Sequence, residues 1–282
     1  METSELKLED LLKDSIASPP SLYLQLQKAL QNPETTYVEF ARIISSDIAF
    51  ASRILRITNS PFYGFSNKVD SIVHAIDILG VEKLSDLAIA ALVIDKFKGI
   101  PRDCINIEDF WKHSIGCGLA TRAIAGLKNE SDLDRYYICG LIHDIGSLLF
   151  YSQIPIKSRL FLSEAKLDEK SLSEVENKHL HFDHAKLGGE LLKKWRFPEI
   201  FQKTASFHHH PLEAGEYSRP ACVVHLSDII AFEMKLGSNG ESNISPLFQD
   251  ILEYLELSQE DISSVKDTVK KQYQDAVDTF LK

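Results

Sequence analysis

The sequence lacks any apolar run long enough to span a membrane. Its longest, such as Leu87 to Ile94, fall well short of the ~20 residues a transmembrane helix needs. No charged n-region, apolar h-region and cleavage pattern opens the chain, so the expected location is the cytoplasm, with no membrane partner. Cysteine is scarce: Cys104, Cys117, Cys139 and Cys222 stand far apart without CxxC spacing. That excludes a structural zinc ribbon and fits isolated thiols in a reducing compartment. Positive charge is short as well, with 31 Lys and Arg against 41 Asp and Glu and a formal net charge of -10. Binding to a phosphate backbone depends on clustered cations that release counterions, so no nucleic-acid partner is expected. A small phosphorylated ligand stays open, because a bound metal can supply positive charge locally. Internal repeats and low-complexity tracts are also missing.

What is present is a chain of 282 residues, 44% of them hydrophobic, enough to bury the core of one large domain or two small ones. Apolar residues recur at three- and four-residue steps, with almost no sustained alternation, which predicts an all-α fold. Phe40, Ile43, Ile44, Ile48, Ala51, Ile54 and Leu55 form one expected stripe, followed by a turn-rich segment from Asn59 to Asp70. Helices are expected from Ser71 to a glycine cap at Gly80, and from Glu82 to Lys98 before Gly99 and Pro101. Asn106 is a good N-cap for a helix reaching about Leu127, and a single helix is expected from about Asp132 to Tyr151. Ser171 with Glu174 reads as a capping box, and Asp183 as the cap of a helix ending near Trp195. Pro198 starts another helix, Arg219 to Leu236 gives one more, and Gly237 to Pro246 reads as a loop. From Ile262 to Phe280 the apolar positions line one face of a last amphipathic helix. The best boundary between lobes is the break near Gly99 to Ile105.

Most of the ten histidines fall in the second half. His143-Asp144 sits within the apolar run Ile138-Cys139-Gly140-Leu141-Ile142-His143-Asp144-Ile145-Gly146. Burying such a pair costs several kcal/mol unless it is hydrogen-bonded or coordinates a cation. Neighbouring side chains on a helix diverge by ~100°, so other helices would have to complete a metal shell. Candidates are His113 on the preceding helix, His184 after Asp183, His208 and His209 after the Pro198 helix, and Asp228 three residues beyond His225. Imidazole with carboxylate suits a divalent metal, iron, manganese or zinc, as one ion or a pair, and resembles hydrolytic more than structural sites. Each residue also has a plainer reading. His113 alone is more often a core histidine bonded to a carbonyl, and Asp109 sits where it stabilises a helix start. His208, His209 and His210 can form a solvated tract, His179 and His181 read as exposed, His74 lies apart, and Asp228 can bond a helix end. The cluster taken jointly is a stronger signal than any member.

At these residues the sequence resembles the HD superfamily, whose pattern is a His, a His-Asp doublet and a distant Asp: here His113, His143 with Asp144, and Asp228. It is more closely similar to the HDOD branch. The carrying segments are Ile43-Ile44-Ser45-Ser46-Asp47, Arg53 through Gly64, Trp111-Lys112-His113-Ser114, the Gly140 to Gly146 run, Asp183-His184-Ala185 with Gly188, Trp195 with Pro198, His208-His209, and His225-Leu226-Ser227-Asp228. The resemblance implies an N-terminal helical lobe, residues 1–98, joined to an HD-like helical bundle, residues 99–282. It further implies a noncatalytic output or regulatory module of bacterial signalling, with a signalling protein as partner. The HD-GYP relatives, which hydrolyse cyclic di-GMP, carry a Lys directly after the HDxG motif and a Gly-Tyr-Pro after the His pair. Here Ser147 replaces that Lys, and Pro211 to Pro220 contains no Gly-Tyr-Pro, which weakens the phosphodiesterase reading. The superfamily's metal-ligand positions are all present. The alternative function is therefore a metal-dependent phosphohydrolase acting on a nucleotide or another phosphate ester.

Overall fold

The computed structural model of the chain describes residues 6–13, 17–97, 100, 104–243 and 248–281. Every regular element among them is helical and none is a strand, so the fold is all-α as the apolar spacing predicts. The expected boundary at residues 98 and 99 lies outside the described residues. So do positions 101–103 of the expected break and positions 244–246 of the expected loop.

Two compact units make up the chain: residues 1–18 with 99–269, and residues 19–98 with 270–282. Neither unit is a continuous stretch of sequence, because each end of the chain belongs with residues remote from it. Near the start, α1 (Leu8–Lys13) is tied to the larger unit. Gln153 Nε2 donates to the Leu11 carbonyl at 2.8 Å, Trp195 Nε1 donates to the Ala17 carbonyl at 2.8 Å, and Lys194 Nζ reaches the Leu12 carbonyl.

The smaller unit holds α2 (Ser21–Gln31), α3 (Tyr37–Ser45), α4 (Ile48–Thr58), α5 (Ile72–Leu79), α6 (Val81–Lys96) and the end of α16 (Gln259–Leu281). The stripe expected to run unbroken from Phe40 to Leu55 is divided between two helices. Asp47 accepts from the Phe50 amide at 3.0 Å and so caps a new helix just after α3. Ile48, in its first turn, is left 81% exposed, whereas Phe40, Ile44 and Ile54 are buried. Arg53 is buried in this unit. It pairs with Asp95 at 2.5 Å and donates to the carbonyls of Ala91 at 3.2 Å and Phe280 at 2.7 Å, which fastens the end of α16.

The larger unit contains α7 (Ile107–Leu127), α8 (Leu133–Ile142), α9 (Ile145–Gln153), α10 (Pro155–Asp168), α11 (Leu172–Leu180), α12 (His184–Lys194), α13 (Glu199–Phe207), α14 (Ser218–Glu233), α15 (Phe248–Leu255) and the start of α16. Asn106 caps α7, Ser171 and Glu174 form the expected box, and Asp183 caps α12 by accepting from the Lys186 amide at 2.8 Å. The helix expected from Asp132 to Tyr151 is broken. It stops at Ile142 and restarts at Ile145, with Asp144 at φ -94 and ψ 14 between them. His143 and Asp144 therefore occupy a corner between α8 and α9, which lets the two adjacent side chains face the same space. Glycines allow the close crossings that frame this corner. A Cβ on Gly146 would collide with the His184 carbonyl oxygen and lie 2.6 Å from the Gly188 amide nitrogen, where α9 meets α12.

Candidate metal centre

Five segments bring the polar cluster together: α7 supplies His113, the α8/α9 corner His143 and Asp144, the start of α12 His184, the end of α13 His208 and His209, and α14 Asp228. His113, His143, His184, His208 and Asp144 are at most 2% exposed. Asp228 Oδ1 lies 2.8 Å from His113 Nε2 and 3.6 Å from His143 Nε2. The two oxygens of Asp144 face different neighbours. Oδ2 is 3.2 Å from His143 Nε2, while Oδ1 is 3.3 Å from both His184 Nε2 and His208 Nε2. His184 Nε2 and His209 Nε2 are 2.8 Å apart. All seven residues singled out from the sequence thus converge, in three overlapping groups whose donor atoms lie within 4.8 Å of one another. His74, His179 and His181 do not join them: His74 pairs with Asp70 at 3.2 Å, and His179 with Glu164 at 2.7 Å. Asp109 is bonded to Asn106 at the start of α7.

Hydrogen bonds on the far side of three of the rings orient the cluster. Nδ1 of His143 donates to the Gly140 carbonyl at 2.8 Å, and Nδ1 of His208 to the Ala205 carbonyl at 2.8 Å. His184 Nδ1 meets the Glu176 carboxylate at 2.6 Å. A neutral imidazole that donates from Nδ1 presents a lone pair at Nε2. In their neutral forms His143 and His208 each turn an Nε2 lone pair toward the Asp144 carboxylate, and His184 Nε2 lies between that carboxylate and His209. His143 Nε2, His208 Nε2 and Asp144 Oδ1 are all buried without a hydrogen-bond partner. Orphaned acceptors of this kind, each with its outer nitrogen fixed by a carbonyl or carboxylate, match a metal-ligand set and its supporting shell. The cluster can hold a metal ion.

Without a metal, protons take up the strain. Burial alone would depress His143, yet the carboxylates of Asp144 and Asp228 hold its pKa well above the ordinary imidazole value. His184 is likewise raised against the effect of burial, by Glu176 and Asp144. Burial would raise Asp144, but His143, His184 and His208 keep it well below the usual carboxylate range. His209 moves the other way, lowered by burial and by the neighbouring His208 and His184.

Two participants were not singled out from the sequence, and a third, His225, entered only at the head of the segment that ends at Asp228. Glu176 accepts from both the ring and the backbone amide of His184, the latter at 2.8 Å. Asn239 Nδ2 donates to Asp144 Oδ2 at 2.7 Å. His225 donates from Nδ1 to the His208 carbonyl at 2.6 Å, and its buried Nε2 has no partner. A cue for Glu176 was its place beside Val175 on a helix whose apolar side is buried. Asn239 lies in a Gly- and Ser-rich loop with no comparable cue.

An all-helical bundle enclosing a His/Asp cluster of this layout defines a protein of the HD type. The family model of the HDOD domain matches residues 16–211, and the chain belongs to the HDOD family. Among curated relatives, a Treponema pallidum protein of uncharacterised function is 26% identical over 73% of this chain and 40% of its own length. The cyclic di-GMP phosphodiesterase CdgJ of Vibrio cholerae is 28% identical over 35% of this chain and 23% of its own. The chain thus spans well under half the length of these relatives. A solved structure from Shewanella amazonensis, described as a candidate phosphohydrolase, shares the fold with a TM-score of 0.76. It is 22% identical, over 97% of this chain and 96% of that one. No helix among the described residues is long and apolar enough to cross a membrane.

Proposed function

We propose that the chain is a noncatalytic output or regulatory module of bacterial signal transduction, working in the cytoplasm, whose His/Asp cluster binds metal and whose partner is a signalling protein. The N-terminal lobe and the HD-like domain expected at residues 1–98 and 99–282 are its functional halves. One or two divalent ions, iron, manganese or zinc, would be held by His113, His143 and Asp228 on one side and by His184, His208 and His209 on the other, with Asp144 serving both. The donor set supports this reading through its orphaned atoms at His143 Nε2, Asp144 Oδ1 and His208 Nε2. Glu176 and Asn239 would fix the orientation of His184 and Asp144. When bound, such an ion supplies Lewis acidity toward a phosphoryl oxygen and can help retain a phosphorylated small molecule.

The observation that carries the noncatalytic reading is position 147. HD-GYP hydrolases have a Lys there, which would balance phosphate charge, whereas here a serine only 2% exposed lies within the apolar α9. The second reading, a metal-dependent phosphohydrolase acting on a nucleotide or other phosphate ester, is favoured by the completeness of the ligand set. One assay separates the two. Protein loaded with manganese or iron should hydrolyse neither cyclic dinucleotides nor generic phosphodiesters above the rate of a His143→Ala, Asp144→Ala control. Metal-dependent turnover that disappears in the double variant would make the chain a phosphohydrolase.

A further inference from the structure

Helix α10 (Pro155–Asp168) carries apolar residues on two opposite faces. Ser158, Phe161 and Ala165 are buried against the body of the larger unit. Ile156, Leu160 and Leu167 point the other way and are 69%, 63% and 82% exposed, the three most exposed large apolar side chains among that unit's described residues. At ~100° per residue, positions 156, 160, 163 and 167 fall on one line along the helix. Steps of four, three and four residues are the d, a, d, a spacing of a coiled-coil seam, with the exposed Ser163 at the second d. The buried Ser158, Phe161 and Ala165 then occupy f, b and f, the positions turned away from such a seam. Single exposed leucines are ordinary on a protein surface, but these three stand in heptad register opposite the core-facing side.

The flanking charges choose the occupant. Arg159 and Lys166 stand at g, and Lys157 and Glu164 at e. In a parallel pair of α10 helices, g of one copy faces e of the next heptad in the other, which sets Arg159 against Glu164 on both sides of the seam. An antiparallel pair would set Lys157 against Glu164 but also Arg159 against Lys166, so attraction and repulsion cancel. Ser163 favours the same choice. Parallel helices bring the two hydroxyls together, where they can bond each other, whereas antiparallel ones leave each beneath Leu160. Glu164 is held at the edge of the seam by Lys178 at 2.6 Å and His179 at 2.7 Å, and its carboxylate keeps acceptor capacity for a guanidinium. Beside it a groove of about 520 Å³, lined in part by Leu160, Phe161, Leu167 and Leu180, has room for side chains of a second helix.

We propose that α10 is a self-association surface, through which two copies of the chain pair in parallel about a two-fold axis along Ile156, Leu160, Ser163 and Leu167. The assignment rests on this face alone and stands whether or not the His/Asp cluster holds metal. Two heptads make a seam smaller than the standard interface of about 800 Å² per partner, so a monomer–dimer equilibrium with Kd on the order of 10 µM is expected. Sedimentation equilibrium of the full chain from about 1 to about 100 µM measures it. Leu160→Glu and Leu167→Glu should each weaken association by about tenfold or more, because a charge would be buried in the seam, with the helical circular dichroism unchanged because both side chains are exposed. Arg159→Glu, which would face Glu164 of the other copy, should weaken it by about threefold to tenfold. Ser163→Cys should form an intermolecular disulfide on mild oxidation, since the d positions of a parallel pair meet at the axis, whereas Glu260→Cys on the exposed side of α16 should not. A chain that stays monomeric up to about 100 µM, a dimer that Leu160→Glu leaves unchanged, or Ser163→Cys that crosslinks no faster than Glu260→Cys would overturn the proposal.

Discussion

Each unit of this protein buries an ionic centre, and the two are finished differently. In the smaller unit Arg53 closes on protein groups through both terminal nitrogens, with only its Nε unpaired: Nη1 reaches Asp95 and the Ala91 carbonyl, and Nη2 the Phe280 carbonyl. In the larger unit His143, His184 and His208 are bonded on their outer nitrogens, and His143 Nε2, His208 Nε2 and Asp144 Oδ1 are left unpaired. A buried charge whose partners are all protein acts as a staple. A buried set of acceptors that point at one another is completed only by something added, a proton or a metal ion.

The largest expected effect concerns the frame of the open centre. Gly146→Val would drive side-chain atoms into the His184 backbone, so unfolding free energy should fall by about 3 kcal/mol or more. Urea denaturation measures it, and a fall below about 1 kcal/mol would show that α9 and α12 can separate without cost.

The contrast itself is sharpened by comparing Arg53→Met with His208→Ala, each with and without added manganese. Arg53→Met should cost about 2 kcal/mol in both conditions, less than a fully buried pair because the Asp95 side chain is 39% exposed. His208→Ala should instead abolish the stabilisation by metal, which for wild type is about 2.7 kcal/mol at a concentration one hundred times Kd. Equal metal-induced shifts in melting temperature for wild type and His208→Ala would break the contrast.

Next in size is Glu176→Gln. A neutral amide on the outer nitrogen of His184 should weaken metal binding by about tenfold while leaving the fold intact, as titration against a competing chelator would show. An unchanged affinity would make Glu176 a structural group only.

The smallest effect is the dependence on pH. The folded, metal-free protein holds His143 and His184 above the ordinary imidazole pKa. Their contribution to stability is therefore complete below about 6.5 and is lost as pH rises through their elevated values. Metal displaces those protons, so its affinity should increase with pH over the same window. Melting curves of chelated protein should thus decline across that window while manganese-loaded protein gains relative to it. Parallel curves would contradict the assignment.

Much of the site was legible in the sequence because residues expensive to bury stood in apolar surroundings. His143-Asp144 and Asp228 are set among positions that are almost all buried, while His184 and His208-His209 border half-buried and exposed ones. The corner between α8 and α9 was not legible. Ile142 and Ile145 are both buried, so the apolar spacing continues through the break and conceals it. At Ser46–Asp47 the cap that divides α3 from α4 was available, but the apolar steps on either side read as one stripe. The pairing of residues 270–282 with 19–98 depends on tertiary bonds such as Arg53 to Phe280, which no local pattern encodes. Glu176 was hidden by its ordinariness, a lone glutamate on a capped helix whose partner eight residues later is defined only by the fold.

The most direct test is elemental analysis of protein purified without an affinity metal, beside the His143→Ala, Asp144→Ala variant. The account predicts iron, manganese or zinc in near-stoichiometric amount in the wild type, as one or two ions per chain, and its loss from the variant with the helical circular dichroism retained. Wild-type metal content no higher than that of the folded variant would contradict it, and would make the cluster a protonated polar core.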